Sequence, residues 1–402
     1  MPRKNTMSRA ANGNGSIRKK TQIKNGKTYT WWEGRITTER DPGTGKQIQR
    51  SVSGKTQKEV AQKLGEISVE IDKRTYLAPT KLTVKDWLDT WVKEYLEDIK
   101  PSTKYLYTRN VEMYIIPNLG SVKLDTLTSP MVQALYNRLH KPDKKDVKPL
   151  SAKTIRSLHG VLHKALQQAV LNGYIRVNPT DACKPPRVVK KEIQPLDETQ
   201  VSEFLKAIQG HPHEYLYKIT LFSGMREGEV LGLTWDCVDL EHGTLLIKQQ
   251  LRREQQKGGK YYFSPPKNNK SRVLSLAPSV VQLFRLQKLK QNGMRLEAGN
   301  SWEENNLIFS NQTGGFLSYR TVYDCFKRIV DKIGSPSTRF HDLRHTYAVL
   351  AIKSGDDIKT VQENLGHATA AFTLDVYGHV TAQMRRDSAD RMEQVIKSVS
   401  AG

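Results

Sequence analysis

The chain has 402 residues, 37% of them hydrophobic and 26% charged, and carries a formal net charge of +23, a length that suits two or three domains. A positive excess of this size opposes compaction and self-association and points to a polyanionic partner, with nucleic acid first. No apolar run approaches the ~18–20 residues that span a bilayer, and the basic N-terminus lacks a signal peptide's apolar stretch. The three cysteines, Cys183, Cys237 and Cys325, stand far apart with no C-x-x-C and no zinc spacing. The expectation is a cytoplasmic protein with reduced thiols, no membrane contact and no metal.

Residues 1–78 read as a small α+β domain, a three-stranded sheet plus a helix. "TYTWWEGRITTER" alternates and is rich in Thr, Tyr and Trp, "DPGTGK" is a turn, and "QIQRSVSG" resumes the strand pattern. In 55–74, Val60, Leu64, Ile67 and Ile71 recur at helical spacing. Lys and Arg are scattered through every turn, which suits strands laid on DNA.

Residues 79–183 read as an all-α bundle. "TVKDWLDTWVKEYL" opens on a Thr N-cap and puts Val84, Trp87, Leu88, Trp91 and Tyr95 on one face. "SPMVQALYNRLH" is a second helix opened by Ser and Pro. In 151–174, Ile155, Leu158, Leu162, Ala165, Leu166 and Ala169 align, the opposite face carries Lys153, Arg156, His159 and Lys164, and Asn172-Gly173 ends the helix. Residues 184–195, proline-containing and basic, read as an extended linker. Such a segment can follow a phosphate backbone between two domains gripping one duplex.

Residues 196–402 form the third region, mainly α with a small β-sheet or hairpin. Within "LFSGMREGEVLGLTW", Arg226 stands at the start of a helix with Glu229 one turn along; taken alone, this is an ordinary surface ion pair. In "RFHDLRHTYAVL", His341 and Arg344 share a face at a helix N-terminus, a ready anion site. "LGHATAAFTLDVYGH" places His367 after a Leu-Gly break and Tyr377 ten residues later. The closing segment "TAQMRRDSADRMEQVIKSV" is amphipathic, with Met384, Met392, Ile396 and Val399 apolar; it either closes its own domain or docks on a neighbouring protomer.

Two arginines, two histidines, a lysine and a tyrosine suit one chemistry. A phosphodiester under attack gathers charge on its non-bridging oxygens, which planar, permanently protonated guanidiniums match bidentately. Imidazoles donate hydrogen bonds or move protons near neutrality. A phenol (pKa roughly 10) attacks only where cations and a base ease its ionisation. The phosphotyrosine so formed would conserve the bond energy without ATP, metal or cofactor.

On these motifs the chain resembles the tyrosine recombinases of the phage-integrase family, found in phages and conjugative transposons. "GMREGEVLGLTW" matches the first motif, so the resemblance gives Arg226 the first arginine role and Glu229 the buttressing one. "HDLRH" gives His341 and the second arginine, Arg344, "LGH" gives His367, and the nucleophile position falls on Tyr377. The family's general-acid lysine lies on a β-hairpin, here "YYFSPPKNNKSRVLSLAP". Lys267 matches it, preceding by eight residues the position, Ser275, where relatives carry proline; Lys270 is the rival, and Asn268 replaces the usual threonine. The resemblance implies an arm-type DNA-binding domain over 1–78, a core-binding domain over 79–183 and a catalytic domain over 196–402. It implies double-stranded DNA with core and arm sites, a homo-tetramer, a Holliday junction intermediate, an accessory DNA-bending or excision factor, and a bacterial, nucleoid-associated location. A type IB topoisomerase and a DNA-binding regulator with vestigial site residues are the rival readings.

Overall fold

The structure, a computed structural model, describes residues 15–40, 43–73, 81–143, 146–189, 194–254, 258–267, 269–367, 369, 371, 374 and 382–400. The chain divides into two compact units, Met1–Val188 and Val189–Gly402.

The first unit holds two cores. Strands β1 (Ser16–Lys24), β2 (Lys27–Arg40) and β3 (Gln47–Gly54) form an antiparallel sheet in that order. Helix α1 (Gln57–Asp72) starts at Thr56, whose hydroxyl accepts from the Glu59 backbone N–H at 3.2 Å. It buries Val60, Leu64 and Ile67 against Ile36 and Trp32. Strand alternation turns Glu33 and Arg35 to the other face, where Glu33 gathers Arg18 at 2.7 Å and Lys20 at 3.0 Å.

The second core belongs to a helical bundle: α2 (Val84–Glu94), α3 (Pro101–Asn110), a π turn over Val111–Ile115, α4 (Ile116–Leu119), α5 (Ser129–His140) and α6 (Ala152–Leu171). Thr83 and Asp86 form a reciprocal capping box that fixes the start of α2. Trp87 is buried, so its indole N–H needs a partner and donates to Ala165 O at 2.9 Å. All six apolar positions expected on α6 are buried, with Val161 beside them. Tyr95 departs from expectation: it caps α2 rather than extending it and is exposed, while Leu96 goes inward.

The second unit is mainly helical: α7 (Glu198–Ala207), α8 (Glu214–Ser223), α9 (Glu227–Leu231), α10 (Pro278–Ala298), α11 (Tyr319–Lys332), α12 (Asp342–Lys353) and α13 (Ile358–Leu365), with a terminal helix Ala382–Ser400. Its small strands form two sheets. One has the order β4 (Val238–Asp239), β5 (Thr244–Ile247), β8 (Arg272–Ser275); the other pairs β6 (Gln250–Arg253) with β7 (Tyr261–Ser264). This corrects the expected hairpin over "YYFSPPKNNKSRVLSLAP". Its two strands do not pair with each other: β7 joins β6, and β8 joins β5. Pro265 and Pro266 have no N–H to give to a ladder, so β7 ends there and the lysine-bearing segment links two sheets. Among the described residues, no helix is long and apolar enough to cross a membrane.

Candidate active site

The site is organised by two helix ends. Helix α8 stops at Gly224 and α13 at Gly366, both at φ +64°. That left-handed conformation suits glycine, and at Gly224 the space requires it too, since a Cβ there would lie 2.4 Å from Tyr347; one on Gly366 would crowd Arg272 at 3.0 Å. A helix C-terminus leaves carbonyls without intrahelical donors, at the negative end of its dipole. The last carbonyls of α13 are taken in succession by three arginines. Asn364 O accepts from Arg272 Nε at 2.8 Å, Leu365 O from Arg344 Nη2 at 2.5 Å, and Gly366 O from Arg226 Nη2 at 3.3 Å. Arg344 Nη1 also donates to Gly224 O at 2.7 Å. His367 follows directly.

Glu229 ties two of these arginines together. It is 0% exposed, so the pair with Arg226 is no surface ion pair. Its carboxylate accepts from the Arg226 backbone N–H at 3.0 Å and Arg226 Nη1 at 2.7 Å. On the other side Arg272 Nη1 and Nη2 donate at 3.1 and 2.6 Å. Burial alone would push this carboxyl up, but Arg272 and then Arg226 outweigh it and hold it down at about 2. Arg226 keeps 21% of its side chain exposed against 10% for Arg272, so Arg226 is the one of the two open to an incoming anion. Arg344 is almost fully buried.

The histidines stand around the same charges. His341 caps α12, its ring edge-on to that of His345 one turn along, centroids 4.9 Å apart. Asp342 fixes this helix start: it is buried and accepts from the Arg339 backbone at 2.7 Å and its guanidinium at 2.7 and 3.1 Å. Burial, then the neighbouring His345, Arg344 and Arg226, push His341 down to about 4. Burial, then Arg344 and Arg226, push His367 down to about 3. Burial leads again for His345, also at about 4. The set therefore presents fixed cations and neutral imidazoles, a complement for an anion that gains charge.

Arg226, Glu229, His341, Arg344 and His367 thus come together. Lys267 and Lys270 lie exposed on the segment between β7 and β8. Tyr377 and Asn268 lie outside the described residues. Two residues of the cluster were missed in the sequence. His345 was available from its i, i+4 spacing to His341. Arg272 shares a strand face with the buried Leu274, and an arginine at an inward strand position calls for a buried carboxylate.

Comparison with known proteins finds integrases and recombinases. The sequence profile described as "Phage integrase family" matches residues 194–384, and that of the "Phage integrase, N-terminal SAM-like domain" matches 83–140. A tyrosine recombinase XerC-like protein of Caldanaerobacter subterraneus subsp. tengcongensis is 27% identical over 396 residues, covering 94% of this chain and 99% of its own. The ICEBs1 integrase of Bacillus subtilis is 22% identical over 369 residues, covering 89% and 95%. Among solved structures, the Tn1549 transposon integrase in complex with circular intermediate DNA superposes with a TM-score of 0.64 at 23% identity, covering 77% of this chain and 99% of its own. A lambda integrase tetramer bound to a Holliday junction gives 0.53 at 20% identity, covering 85% and 92%.

Proposed function

The chain belongs to the phage integrase family of tyrosine recombinases, enzymes that break and rejoin DNA, and from that premise we propose how its residues carry out site-specific recombination for a mobile element. The Tyr377 phenolic oxygen attacks the scissile phosphorus. The bond from phosphorus to the 5′-oxygen breaks, the DNA 3′-end becomes a phosphotyrosine, and the 5′-oxygen leaves with a proton from Lys267, with Lys270 as the rival donor. Arg226 and Arg344 stabilise charge on the non-bridging oxygens. His367 donates a hydrogen bond to the same phosphate, and His341 assists proton transfer. Glu229 holds Arg226 in place. A 5′-hydroxyl from the partner duplex then attacks the phosphotyrosine and releases the tyrosine, so no ATP is consumed.

The observation that carries this reading is the succession of three arginines on the last carbonyls of α13, immediately before His367. It gathers fixed positive charge ten residues upstream of a tyrosine. By likeness to the solved complexes, we extend to this chain double-stranded DNA as substrate, a homo-tetramer and a Holliday junction intermediate. We further propose arm sites for residues 1–78, core sites for 79–183, a basic linker over 184–195, catalysis by 196–402, an accessory bending or excision factor, and a cytoplasmic, nucleoid-associated location. The test is a nicked duplex that loses its 5′-hydroxyl fragment after cleavage. Wild type should accumulate a covalent protein–DNA complex, and Tyr377→Phe should bind equally and accumulate none. Cleavage by that variant would overturn the reading.

A further inference from the structure

Of the three arginines that bond to the carbonyls at the end of α13, Arg272 is the one that no recombination motif named in the sequence assigns, yet all three of its guanidinium nitrogens are engaged. Its Nε is on Asn364 O, one residue before the carbonyl held by Arg344 and two before the one held by Arg226. Both terminal nitrogens are on Glu229, the carboxylate that also holds the Arg226 backbone and guanidinium. Gly366 has no side chain to collide with it. One planar fork therefore fastens three segments: strand β8, the start of α9 with Arg226, and the turn that delivers His367.

We infer that Arg272 is a positioning residue that aims Arg226 and the His367 turn at the scissile phosphate by orienting Glu229. The inference rests on the recombinase reading above. Arg272 does not touch the DNA in this role. Its requirement is geometric, because three N–H vectors in one plane reach two carboxylate oxygens and a carbonyl, a pattern that a lysine ammonium does not reproduce.

The consequence is specific to phosphate charge. Replacing one non-bridging oxygen of the scissile group by methyl makes that group neutral, and the need for a well-aimed guanidinium falls away. Single-turnover formation of the covalent complex is therefore measured for wild type and Arg272→Lys on a phosphodiester duplex and on the matching methylphosphonate duplex. Arg272→Lys should slow the phosphodiester reaction by roughly 100-fold, with DNA affinity retained, and lose most of that deficit on the methylphosphonate. A deficit of equal size on both duplexes, as general loosening of the fold would give, overturns the role, as does no deficit at all. A cycle with neutral replacements guards against a misfolded single variant. Arg272→Gln combined with Glu229→Gln should be no slower than Glu229→Gln alone, because both act through one unit; losses that multiply overturn the inference. Absence of a covalent complex with wild type on either duplex would instead defeat the recombinase reading, and this role with it.

Discussion

Three imidazoles, His341, His345 and His367, are held neutral by burial and by the arginines beside them, at about 3–4. An unfolded histidine titrates near 6.5, so between those values the unfolded chain binds more protons than the folded one. Stability conferred by these sites is complete above about 6.5 and is lost as pH falls toward 4. A DNA phosphate reverses the local sign, because an anion beside an imidazole favours its charged form. The expected outcome is net proton uptake on DNA binding at pH 6, read from calorimetry in two buffers of different ionisation enthalpy; binding with no uptake contradicts it. These histidines illustrate how much of the site was legible. His341, Arg344 and His367 sit in short motifs whose residue types already specify anion chemistry. Glu229 read as one half of a surface pair because burial is a tertiary property, and Arg272 went unread because its partner lies 43 residues away.

At the scale of elements, the segment between β7 and β8 carries the open chemical question. Pro265 and Pro266 end one strand, Arg272 begins the next in a different sheet, and Lys267 and Lys270 lie between those two anchors. We predict that Lys267→Ala slows cleavage of a normal duplex strongly while Lys270→Ala slows it little. Replacing the bridging 5′-oxygen by sulfur, which leaves without protonation, should restore Lys267→Ala selectively. Restoration of Lys270→Ala alone would move the general acid to that position. Legibility followed local chemistry here as well. Helices with clear apolar periodicity, α2 from its Thr83 cap and α6 within 151–174, were readable. Residues 101–119 were not, because the π turn shifts the apolar register and Tyr105, Leu106 and Met113 face solvent. Pairing of the short strands was misread, since four-residue strands give too few alternations to choose a partner.

For the whole molecule, the charge of +23 governs how it meets DNA. Each phosphate neutralised releases counterion, giving a log–log slope of about −0.9 per contact. The sheet and α1 have a hydrophobic core of their own, separate from that of the bundle, with Arg176 and Glu70 paired at 2.6 Å between the two. A chain starting at residue 79 should therefore still cleave a core-site duplex, with a shallower salt slope, and fail in recombination that depends on arm sites. Equal recombination by the full and shortened chains would remove the arm-binding role. Alternating Trp and Tyr made the sheet legible in the sequence.

The central claim is that the phenol of Tyr377 becomes esterified to DNA under the arginine cluster. Its most direct test is to trap wild type on the nicked duplex, digest the complex with protease and nuclease, and identify the modified peptide by mass spectrometry. The account predicts a 3′-nucleotide on Tyr377 and on no other residue; an adduct elsewhere, or one that survives Tyr377→Phe, would contradict it.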